Sequence, residues 1–599
     1  METTIKWKFS ATLLLLGCFT TLFINAQDDR TKVDKTLQWF EDAKFGMFIH
    51  FGVDNKEEFN PEGFDAGEWA RVAKRAGMKY VVLTSKHHAG FCLWDSELTE
   101  YNIVDQTPYN RDVVKDLVAA CEEEGIRFGS YYSIADYNHP LYEPKYQNRA
   151  NRRQGTVPGA DITKYIDFMF GQLEELCQLY EPCLIWFDGG SGFRNPAYKP
   201  LLRRQELVDM LHSYGTISNS RLGDDDSLNI VDYLSLNDNL APPINLGVYF
   251  ESAVTMGDSW NFRSNDELKT PKELLERLVN AVGNGGNLLL NVGPDHNGAI
   301  PEDMVARLEI MGEWLEKNGE AIYETEAGPY VHEISWGTIT QRQDEDRTSL
   351  YLNVVDWPDD GKFTLFGVNN PVLSASLLAT GEAINSKSKF DVSSGQNIIT
   401  LDIPGDAPDE YVSVIKVEVS GAVSMDDTFM QLGDGNVVLE TYNARIHDLE
   451  YVSGKPAKAI DMKMYTVPLK GEGIMPGRGM TVSGFHTKGQ ALSWDFRVYA
   501  PGSYEVVVVC HAGREQSWDV DGRVRVNVAG QSLENKLIEE KRLTIPTATP
   551  NVVDLYSVLG TVEIKSAGAH TLSLEIASDF TGTKPKFRSV ILKPVNKSK

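Results

Sequence analysis

The feature that most limits the fold is an alternation of short apolar runs with helix-like segments, extending from about Val33 to Tyr330. This alternation is typical of repeated βα units whose strands form a parallel sheet. The strand candidates are FGMFIHF at Phe45–Phe51, YVVLTS at Tyr80–Ser85, RFGSYYS at Arg127–Ser133, CLIWFD at Cys183–Asp188 and NLLLNVG at Asn287–Gly293. A doubly wound open sheet would carry a glycine-rich loop after its first strand, but that strand ends here in His50-Phe51-Gly52. The span is somewhat longer than the ~250 residues typical of a (β/α)₈ barrel, and we predict a TIM-like barrel over residues 33–330.

Short strands of alternating polarity follow the barrel, without helix-like segments between them. SLYLNVVDW, KFTLFGV, NIITLDI and YVSVIKVEV lie between residues 331 and 420 and predict an antiparallel β-sandwich. A polar stretch over residues 421–436 is typical of a linker. Residues 437–599 contain further runs such as ALSWDFRVYA, RVRVNVAG and FRSVILKPV, which indicate a second all-β unit. The chain is therefore expected to be α/β first and all-β afterwards.

The first 26 residues have the layout of a secretory signal peptide. Lys6 and Lys8 precede the apolar run FSATLLLLGCFTTLFI, and the small residue Ala26 comes before the polar DDRTK. The apolar run is shorter than the roughly 20 residues that span a bilayer, so we expect no integral membrane span in the mature chain. The LLLGC stretch ending at Cys18 resembles a lipobox. The sequence therefore predicts an exported protein, periplasmic or extracellular, with a lipid anchor as an alternative to full release.

Charge and cysteine usage exclude several classes of protein. The chain has 58 basic and 85 acidic residues, a formal net charge of −27. Because phosphate backbones require a cationic surface, we exclude nucleic acid as a partner and expect a neutral ligand. Beyond Cys18 the cysteines are few and odd in number, which argues against a disulfide framework.

Polar and aromatic residues close or follow four of the predicted strands: His50, His87, His88, Tyr131, Tyr132, Trp186 and Asp188. Reactive groups of a parallel barrel lie at the carboxyl ends of its strands, so these side chains are candidates for one site. Asp188 precedes Gly189-Gly190, whose small size lets a ligand approach closely; it can act as a nucleophile or, alternatively, cap a helix. Adjacent histidines on a strand diverge to opposite faces, and no HExxH or CxxC accompanies them. We therefore expect no metal ion and no cofactor.

A retaining glycosidase needs a second carboxyl group about 5 Å from the first. The segment LSLNDNLAPPINLGVYFESAVTMGDSWNF supplies two candidates, Asp238 and Glu251. Glu251 follows an apolar run that can form a barrel strand, whereas Asp238 taken alone fits a solvated loop. The pattern of residues leaves both candidates open.

Six motifs occur in order in this chain: FGMFIHFG, AGMKYVVLTSKHHAGFCLWDS, RFGSYYS, LIWFDGG, YFESAVTMGDSWNF and LVNAVGNGGNLLLNVGPDHNG. With them the chain resembles the alpha-L-fucosidases of glycoside hydrolase family 29 over roughly Leu37 to Val419. The resemblance implies an exo-acting retaining enzyme that needs no metal. Such an enzyme hydrolyses terminal alpha-L-fucosyl residues of oligosaccharides or glycoconjugates by double displacement. The alternatives are a fucose-binding pseudo-enzyme and a related retaining glycosidase such as an alpha-L-galactosidase; the oligomeric state is left open.

The resemblance also implies roles for single residues. Asp188 in WFDGG matches the nucleophile, and Glu251 is the favoured acid/base with Asp238 as the alternative. The fucose pocket would be lined by His50, His87, His88, Tyr132 and Trp186. Two departures stand out, because HHAGF has Ala89 where the family has an acidic residue, and the loop VDNKEEFNPEG lacks the family's Glu-Trp-Tyr. The last β unit resembles the galactose-binding-like jelly rolls that serve as carbohydrate-binding modules, with bracing of the barrel as the alternative role.

Overall fold

The computed structural model describes residues 31–595 except for the gaps 54, 143–158, 191–192, 194–198, 223–229, 237, 241, 243–244, 246, 331–333, 335, 394, 426–428, 431–434, 442–443, 448–473, 476–480, 483–484 and 545–551. The predicted signal peptide and parts of the predicted linker lie outside the described residues. The chain divides into two compact units. The first comprises Met1–Ser235, Trp260–Asn265 and Val292–Glu302, and the second comprises Leu236–Ser259, Asp266–Asn291 and Asp303–Lys599.

Eight short strands form the parallel sheet of the barrel: β1 (Phe45–Ile49), β2 (Tyr80–Lys86), β3 (Arg127–Ser133), β4 (Leu184–Asp188), β5 (Ile217–Ser218), β6 (Leu234–Ser235), β7 (Phe250–Thr255) and β8 (Gly286–Val292). Their order is β5-β4-β3-β2-β1-β8-β7-β6, and β5 and β6 are joined by a parallel bridge between Asn219 and Tyr233. Most of these strands are buried along their whole length, as parallel strands covered on both faces must be. The barrel prediction is confirmed, and each predicted strand begins and ends within two residues of the observed one.

Helices separate the strands: α1 (residues 31–43), α2 (Ala66–Arg75), α3 (Ile103–Gln106), α4 (Val113–Glu124), α5 (Ile162–Tyr180), α6 (Arg204–Ser213), α7 (Pro271–Gly283) and α8 (Glu302–Asn318). Asp65, Asp112 and Asp161 cap α2, α4 and α5 by accepting backbone N–H groups of the first turn. Thr270 and Glu273 form a capping box at the start of α7. These caps fix where each helix begins, and with it the length of each loop at the strand ends.

The β-sandwich contains β9 (Glu326–Ala327), β10 (Gly337–Gln343), β11 (Arg347–Val354), β12 (Lys362–Phe366), β13 (Val372–Leu377), β14 (Asn385–Asp391), β15 (Gln396–Asp402) and β16 (Ser413–Ser420). One sheet has the order β13-β16-β11-β10-β9 and the other β12-β15-β14. Alternate residues of both sheets, such as Leu350, Leu352 and Ile399, form its core. Two buried hydrogen bonds join it to barrel helices of the same compact unit. Thr338 Oγ1 donates to the Val279 carbonyl in α7 at 2.9 Å, and Trp314 Nε1 of α8 donates to the Val412 carbonyl at 2.8 Å.

The last β unit contains β17 (Phe429–Met430), β18 (Val437–Glu440), β19 (Arg445–His447), β20 (Ile474–Met475), β21 (Thr481–Val482), β22 (Ala491–Val498), β23 (Gly502–Gly513), β24 (Arg523–Val528), β25 (Gln531–Lys536), β26 (Lys541–Thr544), β27 (Val552–Ile564), β28 (Gly568–Ser578) and β29 (Lys586–Pro594). They form a six-stranded and a seven-stranded sheet around a core that includes Trp494, Phe496 and Val508. Strand β17 falls inside the predicted linker and pairs in parallel with β22. The rings of Phe366 and Tyr499 stack 4.6 Å apart between the sandwich and this unit.

The state of the described cysteines agrees with the expectation from their number and spacing. The five described cysteines, Cys92, Cys121, Cys177, Cys183 and Cys510, are buried free thiols. Over the described ranges, the helices are too short or too polar to cross a bilayer.

Candidate active site

The carboxyl ends of β3 and β4 lie side by side and carry the central carboxylate. Asp188, the last residue of β4, is in register with Ser133, the last residue of β3, and the Ile134 N–H donates to the Asp188 carbonyl at 2.8 Å. Gly189 follows with a φ of +74°, and a Cβ at that position would lie 2.9 Å from the Ala135 side chain. A glycine after the carboxylate therefore lets the two loops pack this closely.

Three side chains from separate strand ends surround the Asp188 carboxylate. The Tyr131 hydroxyl donates to Oδ2 at 3.1 Å. His88 Nε2 lies 3.5 Å from the same oxygen, and Arg221 Nη1 lies 3.6 Å from Oδ1. The Asp188 side chain is 29% exposed, so a ligand can still reach it.

The electrostatic balance keeps Asp188 ionised. Burial acts to raise the pKa of this carboxyl, as it does for any charged group taken out of water. The charges of Arg221 and His88 lower it, and so do hydrogen bonds from the Gly189 N–H and the Tyr131 hydroxyl. These effects outweigh burial, and the pKa of Asp188 lies below its ordinary value.

Hydrogen bonding also fixes the proton on one nitrogen of His88. The Ser133 hydroxyl donates to the Ala135 carbonyl at 2.7 Å, so its oxygen is left to accept from His88 Nδ1 at 2.6 Å. Nδ1 therefore carries a hydrogen, and the carboxylate facing Nε2 favours a second proton there. His88 can thus serve as a cation beside Asp188.

Arg221 is a site residue that the sequence prediction missed. It follows β5, which has only two residues, and the surrounding SNSRLGDDDS reads as a polar loop. The guanidinium lies 4.5 Å above the Trp186 ring and donates through Nε to Ser235 Oγ at 3.0 Å. The only sequence signal was its place at the end of a weak strand in an alternating βα pattern.

Aromatic rings form a wall beside the carboxylate. Its members are Phe48, His50, His87, Tyr131, Trp186 and Trp260, whose neighbouring ring centroids lie 4.6–6.0 Å apart. Tyr131 stacks between His87 and Trp186 with interplanar angles of 9° and 18°. The structure therefore brings together the strand-end candidates His50, His87, His88, Tyr131, Trp186 and Asp188, and adds Arg221 and Trp260.

The predicted pocket residue Tyr132 belongs to the other face of β3. Successive side chains of a strand point to opposite faces, and Tyr131 is the one that reaches Asp188. The Tyr132 hydroxyl donates instead to Gln172 Oε1 of α5 at 2.8 Å and accepts from Lys86 Nζ at 3.0 Å. In the structure Tyr131 is therefore the tyrosine of β3 that contacts Asp188, and the assignment of Tyr132 to the pocket stays a prediction.

The two acid/base candidates have contrasting surroundings. Glu251 is the second residue of β7 and is fully buried. Asp238 comes three residues after the end of β6 and is exposed. It precedes Asn239, whose φ of +60° turns the chain and whose Oδ1 accepts from the Thr255 N–H at 2.8 Å. Only Asp238 lies past the carboxyl end of its strand, the edge where a barrel places reactive groups.

The two departures from the family pattern lie in exposed loops. Ala89 is exposed, and its carbonyl accepts from Asn138 Nδ2 at 2.9 Å. Glu57 and Glu58 are exposed, whereas Phe59 in the same loop packs against Phe51 at 5.3 Å. The altered loop is therefore anchored by an aromatic contact.

This arrangement suits a small neutral ring with hydroxyl groups. Aromatic faces pack against apolar surface, imidazole nitrogens can donate and accept hydrogen bonds, and an ionised carboxylate can attack an electrophilic carbon. The described side chains thus combine a carboxylate that can act as a nucleophile with a wall of aromatic rings.

Comparisons with known proteins agree with this chemistry. The family model described as Alpha-L-fucosidase matches residues 53–320. The human plasma alpha-L-fucosidase is 31% identical over 414 residues, which cover 61% of this chain and 85% of that protein. The alpha-L-fucosidase structure from Vibrio sp. strain EJY3 superposes with a TM-score of 0.76 at 26% identity, covering 94% of this chain and 98% of that one.

A Bacteroides thetaiotaomicron enzyme is also similar, with a TM-score of 0.55 and 28% identity over 64% of this chain and 96% of that one. Its structure is that of a GH29 alpha-L-fucosidase trapped as a covalent intermediate with 2-fluoro-fucosyl fluoride. The resemblance seen in the sequence motifs is therefore confirmed, and this chain belongs to the alpha-L-fucosidase family, glycoside hydrolase family 29.

Proposed function

We propose that this protein hydrolyses terminal alpha-L-fucosyl residues of glycans with retention of configuration. The observation that carries the proposal is the Asp188 carboxylate, ionised and accessible at the end of β4 beside the aromatic wall. Family membership supports the substrate class, and the covalent intermediate trapped on the Bacteroides enzyme supports the double displacement.

In the first step, Asp188 Oδ attacks the anomeric carbon and the bond to the glycosidic oxygen breaks. A carboxylic acid gives its proton to that oxygen, and the leaving sugar departs as an alcohol. In the second step, the same group, now a carboxylate, takes a proton from water while the water oxygen attacks the anomeric carbon and frees Asp188. The charge that develops on the ring in both transition states is balanced by this second carboxylate and Asp188.

We assign the acid/base role to Asp238 rather than to Glu251, which the family motif favoured. An acid/base must exchange protons with the leaving group and then with water, and the exposure of Asp238 past the end of β6 supports that role. Glu251 is instead fully buried near the amino end of β7.

The first experiment measures hydrolysis of p-nitrophenyl alpha-L-fucoside by wild type, Asp188→Ala, Asp238→Ala and Glu251→Gln. Asp209→Ala, which removes an exposed carboxylate of α6, is the matched control. We expect Asp188→Ala to lose nearly all turnover. Azide should accelerate Asp238→Ala and yield α-fucosyl azide, because azide needs no general base and attacks the β-linked fucosyl-enzyme.

Two results would contradict the proposal. Release of β-L-fucose as the first product, observed by proton NMR, would exclude retention. Binding of fucose without turnover of the aryl fucoside would instead indicate a pseudo-enzyme. Azide acceleration in Glu251→Gln, and not in Asp238→Ala, would return the acid/base role to Glu251.

We further propose that the protein is exported after cleavage near Gln27. The charged, apolar and small-residue order of the first 26 residues supports this. Mass spectrometry of the mature chain from periplasm, medium and membranes tests it. Cleavage before Cys18 with an added lipid mass would replace it with lipid anchoring.

A further inference from the structure

We propose that Lys86 and Asp136 are positioning residues, a buried ion pair that holds the loop carrying His87 and His88 against the nucleophile. The inference rests on the proposed function, and it assigns a role to two charged groups that touch neither the carboxylate of Asp188 nor the aromatic wall. Lys86 ends β2, immediately before the histidine pair.

Lys86 is enclosed by protein on all sides. Its side chain is 0% exposed, and Nζ lies 3.1 Å from Asp136 Oδ2, which is itself 4% exposed. Nζ also donates to the Tyr132 hydroxyl at 3.0 Å and to Gln172 Oε1 at 3.2 Å. These contacts occupy the three hydrogens of the ammonium group, so the cation is held in one place.

Asp136, in the loop after β3, contacts backbone groups of its own loop and of the loop after β2. Its Oδ1 accepts the N–H groups of Asn138 and His139 at 3.2 and 2.9 Å. Gly90 packs so closely on this carboxylate that a Cβ there would lie 2.2 Å from Oδ1. The loop after β2 and the loop after β3 therefore meet on one carboxylate.

Backbone contacts extend the same junction up to His88. The Tyr137 N–H donates to the His88 carbonyl at 2.8 Å, and Asn138 Nδ2 donates to the Ala89 carbonyl. Both donors belong to the turn that Asp136 organises. Movement of that turn would therefore displace His88 from Ser133 and from Asp188.

Energetics indicate why such a pair would be placed here. Burying two charges has a desolvation penalty that their attraction must offset, and apolar residues of similar volume often give equal stability. The pair is thus a poor source of stability. It instead specifies the conformation, because its hydrogen bonds admit one arrangement of the two loops. A 1 Å misplacement of a catalytic group can cost about 10²-fold in rate.

The test uses the full chain with Lys86→Met, Asp136→Asn and the double variant. Asparagine keeps the size of Asp136 and its two backbone bonds, and the double variant leaves no uncompensated charge in the interior. Arg588→Met is the matched control, because Arg588 and Asp554 form a buried ion pair at 2.9 Å in the last β unit. We would measure kcat/KM on p-nitrophenyl alpha-L-fucoside, the Tm, and the His88 imidazole signal in ¹⁵N-histidine-labelled protein, assigned with His88→Gln.

We expect kcat/KM to fall about 10²-fold in both single variants, with a shift of the His88 signal. The double variant should regain a Tm near that of wild type while its kcat/KM stays low, and Arg588→Met should lower the Tm alone. Wild-type kcat/KM in the double variant, or an unmoved His88 signal, would overturn the proposal. If a single variant does not fold, the double variant alone decides. If wild type fails to hydrolyse the fucoside, the proposed function fails, and the His88 signal still decides the positioning role.

Discussion

A carboxylate lodged beside aromatic rings stays ionised only while positive charge stays with it. Arg221 and His88 provide that charge for Asp188, and each reaches it from a different strand end. The nucleophile therefore depends on two loops that are distant in the sequence. The reactivity of Asp188 therefore depends on the positions of these two loops as well as on the carboxylate itself.

Removing one of these cations should move the pH dependence of the enzyme. In Arg221→Met the pKa of Asp188 is expected to rise, because the charge that lowers it most is lost. Only ionised Asp188 is a nucleophile, so the acid limb of kcat/KM should shift to higher pH. Arg203→Met is the control, since Arg203 pairs with Glu206 and Asp167 near the start of α6. An unmoved acid limb in Arg221→Met would contradict this reading.

The two adjacent tyrosines of β3 give a matched pair of variants. Tyr131→Phe removes a hydrogen bond to a charged group, worth about 1.5–3 kcal/mol, so kcat/KM should fall roughly 10- to 100-fold with little change in Tm. Tyr132→Phe removes a fully buried hydroxyl and should lower the Tm more than Tyr131→Phe does. Parallel measurement of kcat/KM and Tm checks both, and the reverse pattern would place Tyr132 in the pocket after all.

At the scale of elements, helix α7 and strand β10 approach each other more closely than side chains usually allow. Gly283, the last residue of α7, faces Thr338 of β10, and a Cβ on it would lie 2.6 Å from the Thr338 Cβ. The hydrogen bond from Thr338 to Val279 depends on this approach. A glycine at this helix end is thus what lets the sandwich pack on the barrel helix.

Two helical glycines should respond to alanine in opposite ways. Gly283→Ala is expected to lower the Tm, because the new methyl group meets the rigid Thr338 side chain. Gly171→Ala in α5 meets only the end of the Leu98 side chain, at 3.0 Å, and that side chain is 47% exposed and can move. Alanine is favoured over glycine in helices by about 1 kcal/mol, so Gly171→Ala should raise the Tm. Equal effects in calorimetric scans would refute the close-packing argument.

The sequence could predict elements whose pattern is strong and could not predict which side chains meet. Strands β1 to β4 and β8 were predicted from their runs of residues. The carboxyl ends of β1, β2 and β4 then supplied the candidates His50, His87, His88, Trp186 and Asp188. Strand β5 has two residues and gave no such run, so Arg221 was missed. The choice between Tyr131 and Tyr132 depends on which face of β3 turns inward, and the adjacent letters do not encode that. Trp260 lies in the motif YFESAVTMGDSWNF, but its place in the aromatic wall is evident only from its ring contacts with Phe48 and His50.

At the scale of the whole molecule, the candidate site residues all precede the last β unit in the sequence. The similar Bacteroides enzyme is covered almost completely by 64% of this chain, a share about as long as the barrel and the sandwich together. The Vibrio enzyme is matched over 94% of this chain. Related enzymes of both lengths therefore exist.

A shortened chain that ends after Met425 should retain most of its kcat/KM on the aryl fucoside. The candidate site residues all precede that point, and Met425 itself still bridges Val368. We predict that the last unit acts in carbohydrate binding, so the shortened chain should bind fucosylated polysaccharide less well in pull-down assays while keeping its Tm within a few degrees. A folded but inactive product by circular dichroism would show instead that the unit braces the barrel.

The ring of strands closes at the bridge between Asn219 and Tyr233, and this position is the seam of the barrel. Strands β5 and β6 have two residues each, and among the described residues they are joined by that bridge and by the hydrogen bond from the Asp232 N–H to the Ser218 carbonyl at 3.1 Å. Asp232 reinforces it by accepting from the Ser218 N–H at 2.7 Å. Local opening begins where few contacts must break, and Arg221 lies just beyond this seam. On heating, this seam should therefore open first and move the Arg221 guanidinium away from Asp188. Activity should then be lost at temperatures where most of the fold is still intact.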